Sequence, residues 1–180
     1  MAERTRLVFD PVAEAERQWR AHGWADAAPG MSVVTSIMRV QQLYMGMVDA
    51  VLRPHDLTFA RFEVLRLLAF SSAGALPLGK IGSRLQVHPA SVTSAIDRLE
   101  RQGFVTRVPH PTDGRAVLAE ITDAGRLVVE AATVDLNDKA FKDLGLDEDD
   151  LLTLVGILRQ VRHRAGDFDQ VGSTPDALPA

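Results

Sequence analysis

The chain has 180 residues, of which 46% are hydrophobic and 24% charged, with a formal net charge of −4 and no cysteine. That length suits one compact body with a real core and is short for two, and the missing cysteine excludes disulfides, Cys-ligated zinc and thiol redox switching. No apolar run reaches the roughly 18–20 residues of a membrane-spanning helix, and the charged start Met1–Arg6 has no signal-peptide core, so a cytoplasmic protein without a membrane partner is expected.

Residues 1–30 read as an N-terminal arm. Asp10 followed by Pro11 is a helix start, because the carboxylate can cap and proline in the first turn gives up no hydrogen bond. A short helix from Val12 to His22 follows and Gly23 ends it. Trp19 and Trp24 are too large to leave bare, which predicts that the arm packs on the body or on a partner chain. Ala27, Ala28, Pro29 and Gly30 read as a linker.

The next segment, residues 31–57, is dominated by one helix from Ser32 to about Arg53. Ile37, Val40, Tyr44, Met47 and Val51 recur at helical spacing, and Met31, Met38, Met45 and Leu52 form a second series at spacing seven. A helix apolar on two sides needs two partners, such as its own domain and a second subunit. Pro54 stops it. Residues 58–121 then read as a helix capped by Thr58, with Phe59, Phe62, Leu65, Leu68 and Ala69 inward. A small-residue turn at Ser71–Ala75 and a short helix Leu78–Gln86 come next, then a tight turn at Val87 and a helix from Pro89 to about Gln102 with Gly103 as its left-handed C-terminal cap. Here the period changes. Phe104–Val108 and Ala116–Ile121 read as two strands joined by a turn at His110–Gly114.

Residues 122–165 hold two further helices. The first is capped by Thr122 and carries Leu127, Val128, Ala131, Val134 and Leu136. The last starts near Asp147 and carries Leu151, Leu154, Val155, Leu158 and Val161, again on two sides. Its acidic run Asp147–Asp150 suits the positive end of a helix dipole better than a calcium loop. Residues 166–180, polar and rich in Pro and Gly, read as a flexible tail. The fold class expected is mainly α with a small β-hairpin.

Charge is unevenly placed along this order. Residues 78–118 hold Lys80, Arg84, Arg98, Arg101, Arg107 and Arg115 against Asp97, Glu100 and Asp113, whereas residues 119–180 hold six basic and thirteen acidic groups. A local basic surface is sufficient for phosphate contacts, and an acidic remainder limits indiscriminate binding. The order helix, short helix, tight turn, helix, hairpin is that of a winged helix-turn-helix, in which the last helix enters the major groove of double-stranded DNA and the hairpin reaches the adjoining backbone or minor groove. The helix from Pro89 divides by face: Val92, Ala95, Ile96 and Leu99 point inward, and Ala90, Ser91, Thr93, Ser94, Asp97, Arg98 and Arg101 point outward. Small and polar outward residues let the backbone approach DNA closely and let hydroxyls reach base edges.

The stretch Val92-Thr93-Ser94-Ala95-Ile96-Asp97-Arg98-Leu99-Glu100-Arg101-Gln102-Gly103-Phe104-Val105-Thr106-Arg107 resembles the recognition helix and first wing strand of the bacterial MarR family. Asp113-Gly114-Arg115, then Ile121-Thr122 with Gly125, are similar to that family's wing signature, and Thr58-x-x-Arg61-Phe62-Glu63-Val64-Leu65 matches its second helix. The likeness runs over residues 32–165. It implies a homodimer joined through the first and last helices that represses transcription from a near-palindromic site and is released by a small-molecule effector. It also implies that Arg115 enters the minor groove, that Asp113 shapes the wing turn, and that Asp97 pairs with Arg107 or Arg115 to fix the wing. The DNA-contacting set expected is Lys80, His88, Pro89, Ala90, Ser91, Thr93, Ser94, Arg98, Arg107, His110, Asp113 and Arg115. His88 stands where the family often has a Ser or Thr cap. Met38, Tyr44, Met45, Phe62 and Arg66 are candidates to line an effector pocket, although apolar residues at this spacing also serve as plain core.

No enzyme is expected, and no metal or cofactor. The five histidines (22, 55, 88, 110 and 163) lack His-x-x-x-His spacing, and neither a Gly-rich phosphate loop nor a Gly-x-Ser-x-Gly elbow is present. A winged helix that binds protein is the other reading of the same order. The Ser/Thr face and Arg115 weigh against it, since a protein-binding face would show aromatics or leucine.

Overall fold

A computed structural model describes residues 7–112 and 117–169. The chain falls into two units, one up to Met47 and one from Val48 onward. In the first, α1 (Pro11–Ala21) begins where Asp10 accepts a 2.8 Å hydrogen bond from the Val12 N–H. Its outer face is laced by Arg17–Glu14 and Arg20–Glu16 pairs one turn apart. Gly23, at φ +87°, turns the chain, and the Trp19 and Trp24 rings meet edge to face at 5.4 Å with His22 stacked on Trp24. Trp24 nevertheless stays 54% exposed, so the arm covers its indoles only in part.

Helix α2 (Ala28–Leu52) starts earlier than its periodicity suggests, because Ala28–Gly30, expected as linker, is its first turn. Proline is tolerated there since a first-turn N–H has no intrahelical partner to lose. Ala28 is fully buried and its N–H reaches the Trp24 carbonyl at 3.1 Å. The Ser32 hydroxyl donates to Glu16 at 2.8 Å and ties α2 to α1. Beyond that tie, Val33, Val34, Ile37, Met38, Val40 and Leu43 are all exposed.

The second unit takes up the last turn of α2, where Val48 and Leu52 are buried. A 3-10 turn at Arg53–His55 and a left-handed Asp56 (φ 53°) lead into α3 (Phe59–Phe70). Thr58 has the extended backbone of a cap, but its hydroxyl accepts from the Arg61 Nε instead of capping the helix. Helix α3 buries Phe62, Val64, Leu65 and Leu68, so Val64 enters the core, while Phe59 and Ala69, expected inward, are only half-buried. It is the hub of the unit and packs on α4 (Leu78–Leu85), α5 (Pro89–Arg101) and α6 (Asp123–Leu136).

The sheet has three antiparallel strands in the order β1-β3-β2 instead of two. Strands β2 (Val105–Pro109) and β3 (Val117–Ile121) form the expected hairpin, with Arg107 opposite Ala119, and β1 (Ala75–Pro77) adds to the free edge of β3 with Leu76 opposite Ala119. Three residues ending in proline are too short to show alternation. Leu76 makes the strand worthwhile, because it is fully buried in a strand that packs on α4.

Helix α6 is rotated from its expected face: it buries Gly125, Val129, Ala132 and Leu136, leaving Leu127 75% and Val134 60% exposed. The cause is local. Thr122 caps α6 by accepting from the Gly125 N–H at 3.0 Å and donates to the Gly103 carbonyl at 2.8 Å, which draws the first turn onto the chain leaving α5. A Cβ on Gly125 would meet Phe104 backbone and lie 2.9 Å from the Ile121 Cγ1. A π turn at Asn137–Phe141 follows, and α7 (Glu148–Arg164) is capped by Asp147, has acids in its first turn and bases in its last, and buries no side chain. Gly166–Asp169, expected to begin the flexible tail, fold back instead, with the Phe168 ring 5.6 Å from the Arg162 guanidinium. Among the described residues no helix is long and apolar enough to cross a membrane.

Gly125→Ala is therefore expected to cost about 1–3 kcal/mol, the range for forcing an extra carbon against well-packed backbone, read as a drop in thermal or urea midpoint. A native midpoint would mean that the first turn of α6 does not seat on Phe104.

Candidate nucleic-acid interface

Helices α4 and α5 are joined by three residues. Gln86 adopts the left-handed conformation (φ 52°) and the Val87 N–H closes the turn on the Gly82 carbonyl at 3.1 Å. Gly82 allows the close approach: a Cβ there would sit 3.3 Å from the Val92 side chain. Pro89 occupies the first position of α5, and the His88 Nδ1 caps the helix by accepting from the Ala90 N–H at 3.2 Å.

The expected division of α5 holds. Val92, Ile96 and Leu99 are buried, Ala95 is half-buried, and Pro89, Ala90, Ser91, Thr93, Ser94, Arg98 and Arg101 are exposed. The Thr93 hydroxyl donates back to the Pro89 carbonyl at 3.1 Å, and Arg101 Nε donates to the Asp97 carbonyl at 3.2 Å. Asp97 and Glu100, the acids of this helix, both turn toward the wing and pair with the Arg107 guanidinium on β2, one on each terminal nitrogen. The Asp97 hydrogen bond is the main cause that raises the Arg107 pKa above its ordinary value. Of the two partners that the sequence offered Asp97, Arg107 is the one among the described residues. With its acids bound in this way, the outward face of α5 keeps Arg98 and Arg101 as its exposed charges.

A groove of about 840 Å³ runs between the start of α3 and the outward face of α5, lined by Asp56, Thr58, Arg61, Ser91, Ser94, Arg98, Arg101 and Gln102 among others. Its walls are tied together by one amide. Gln102 donates to the Asp56 carbonyl at 2.8 Å and carboxylate at 2.9 Å, and its carbonyl accepts from Arg61 at 2.8 Å. Sequence reasoning missed Asp56, Arg61 and Gln102 as parts of this surface. The only signal available was the Thr58-x-x-Arg61 spacing, since the partner residue lies 41 positions away.

Lys80 lies on α4, and His110 closes β2, its Nδ1 accepting from the Thr112 N–H at 3.3 Å. Asp113 and Arg115 lie outside the described residues. Of the effector candidates, Met38, Tyr44 and Met45 belong to α2 in the first unit and Phe62 and Arg66 to α3 in the second. Phe62 is core, 7% exposed. Arg66 is a strut to α6: it donates to Glu130 at 2.8 Å, to the Val129 carbonyl at 2.9 Å and to the Thr133 hydroxyl at 2.6 Å, and lies 5.1 Å from the centre of the Phe70 ring.

The MarR family model matches residues 57–117. The structure is similar to that of Sco5413, a MarR family transcriptional regulator from Streptomyces coelicolor, with 52% identity and a TM-score of 0.72 over 79% of this chain and 99% of the other. It is similar also to a mutant MarR from Escherichia coli complexed with operator DNA, with 27% identity and a TM-score of 0.69 over 75% of this chain and 96% of the other. In sequence, the multiple antibiotic resistance protein MarR of Escherichia coli is 31% identical over 69% of this chain and 87% of its own length. The uncharacterized HTH-type transcriptional regulator Mb0904 of Mycobacterium bovis is 41% identical over 39% of this chain, and the chain spans about half (49%) of that relative's length.

Because Arg107 holds β2 to α5 through two part-exposed ion pairs, Arg107→Gln is expected to change global stability by no more than about 1 kcal/mol while loosening the hairpin. Amide hydrogen exchange should quicken across residues 105–109 and 117–121 and stay unchanged in α3. Unchanged exchange in the hairpin would show that the pairs do not set its position.

Proposed function

The chain belongs to the MarR family, and on that premise we propose that it is a sequence-specific, DNA-binding transcriptional regulator of the bacterial cytoplasm, a homodimer that represses from a near-palindromic operator and is released by a small-molecule effector. The observation that carries this reading is the outward face of α5: small and polar along its first turns, positive along its last, with its two acids tied away on Arg107. Such a face fits the major groove, where hydroxyls meet base edges and arginines meet guanine or phosphate. Ser91, Thr93 and Ser94 are the base-reading residues. Pro89 and Ala90 permit close approach, Arg98, Arg101 and Lys80 neutralise phosphates, and Arg107 positions the wing. His110 and Arg115 contact the flanking strand and minor groove, and Asp113 shapes the wing turn between them.

Dimer formation is supported by the apolar side chains that α2 and α7 leave uncovered, among them Ile37, Val40 and Leu43 on the first and Leu154, Val155, Leu158 and Val161 on the second. A folded monomer rarely leaves large apolar helix faces in water. Two reading helices related by a two-fold axis require half-sites about one helical turn apart. For the effector, the bonds of Arg66 to α6 and the burial of Phe62 make both structural residues, which leaves Met38, Tyr44 and Met45 on α2 as the candidates.

The test is a selection of bound fragments from a genomic pool at two salt concentrations, followed by titration of a selected site. Enriched fragments are expected to share an inverted repeat. Arg98→Ala and Arg115→Ala should each weaken binding about tenfold or more, and removing an arginine that neutralises a phosphate should lower the salt slope by about one. No enrichment at low salt, with or without candidate effectors, would overturn the reading in favour of a protein partner.

A further inference from the structure

The amide of Gln102 joins the end of α5 to the chain that leaves α2. Gln102 is the C-terminal cap of α5. Its Nε2 donates to the Asp56 carbonyl at 2.8 Å and carboxylate at 2.9 Å, and its Oε1 accepts from Arg61 Nη1 at 2.8 Å. Donor and acceptor ends are both engaged, so the side chain has one orientation. Asp56 is itself held in place. It takes the left-handed conformation (φ 53°), which few residues with a Cβ adopt. It follows closely on Leu52, the fully buried last residue of α2, and the Leu57 N–H closes that turn on the Leu52 carbonyl at 3.3 Å. The buried stripe of α5 keeps the helix on the core but does not fix its tilt; the latch at Gln102 does. Helix α5 has 13 residues and is about 20 Å long at 1.5 Å per residue. A tilt of about 10° about its latched end swings Ser91 by about 3 Å, close to the roughly 3.4 Å rise of one base pair.

Resting on the reading of two such helices paired about a two-fold axis on DNA, we propose that Gln102 sets the half-site spacing that this protein accepts. It is a positioning residue, and it acts by fixing the tilt of α5 against the end of α2, the helix on which that pairing rests. The outward side chains of α5 select the bases. The latch sets how far apart the two selections fall, and so discriminates between operators that share half-sites and differ by one base pair between them.

The experiment titrates a selected operator, and versions with one base pair inserted or removed between its half-sites, with wild type, Gln102→Leu, Gln102→Glu and Asp56→Asn. Wild type should prefer the selected spacing about tenfold or more, the scale of one or two hydrogen bonds. Gln102→Leu removes all three bonds, and Gln102→Glu sets a carboxylate against Asp56 in place of the donor. Both should cut the preference to about threefold or less, with melting close to native, since the bonds are part-exposed. Asp56→Asn keeps a residue that tolerates the left-handed backbone and a carbonyl acceptor for the amide, so it should retain the wild-type preference. Because the chain has no cysteine, a nitroxide on Ala90→Cys reports the distance between the two α5 starts without DNA. That distribution should be narrow on the wild-type background and broaden with Gln102→Leu. Three results would each overturn the proposal: no spacing preference in the wild type, an unchanged distance distribution, or an equal loss of affinity at all three spacings, the mark of a lost DNA contact. A chain that binds no DNA, or gives no distance between subunits, would instead remove the reading on which it rests.

Discussion

A helix that is to enter a DNA groove has to be held from one side, and in this protein that constraint organises the second unit. The buried side chains of α5 are Val92, Ile96 and Leu99, a stripe of three in thirteen residues. Burying them supplies on the order of 1.5–3 kcal/mol each, yet one stripe leaves a helix free to roll and slide. The remaining restraint comes from its ends. At the start, Gly82 lets α4 close against Val92 and the His88 ring caps the first turn. At the finish, Gln102 joins Asp56 to Arg61 and the Asp97–Arg107–Glu100 cluster braces the helix against β2.

That bracing also solves an electrostatic problem. The chain as a whole is acidic, with net charge −4, and carboxylates beside a phosphate backbone repel it. Screening in physiological salt acts over about 8 Å, so the acids that matter most to this face are those nearest it, and Asp97 and Glu100 lie on α5 itself. Turning both onto one guanidinium converts them from a repulsive field into a mechanical link. The result is a face whose remaining charges, Arg98 and Arg101, are of one sign.

The other surfaces have the opposite character. Helix α2 beyond Ser32 and the whole of α7 leave apolar side chains in water, and α6 adds Leu127 and Val134. In an isolated chain such faces are a liability. Under the proposed pairing of two copies these faces form the interface, which would account for a bare polar helix on one element and bare apolar helices on others.

Much of this was legible in the sequence, for a physical reason. Periodicity, caps and turn residues act over a few positions, so Asp10 at the start of α1, Asp147 at the start of α7, Gly103 after α5 and the inward stripe of α5 follow from local rules. The likeness to the MarR family carried the function further than periodicity alone. What tertiary structure decided is what depends on partners distant in the chain. Strand β1 exists because β3 offers an edge, the linker at Ala28–Gly30 became helix because Ala28 found a buried place beside Trp24, and α6 turned its face because Gly125 had to seat on Phe104. Arg66, a plausible ligand group by composition, was drawn to α6 by acceptors 63 to 67 positions away. Local sequence determines where the main helices start and stop; whether a short edge strand forms, and which side chains remain free for a ligand, is settled only when distant elements compete for the same donors and acceptors.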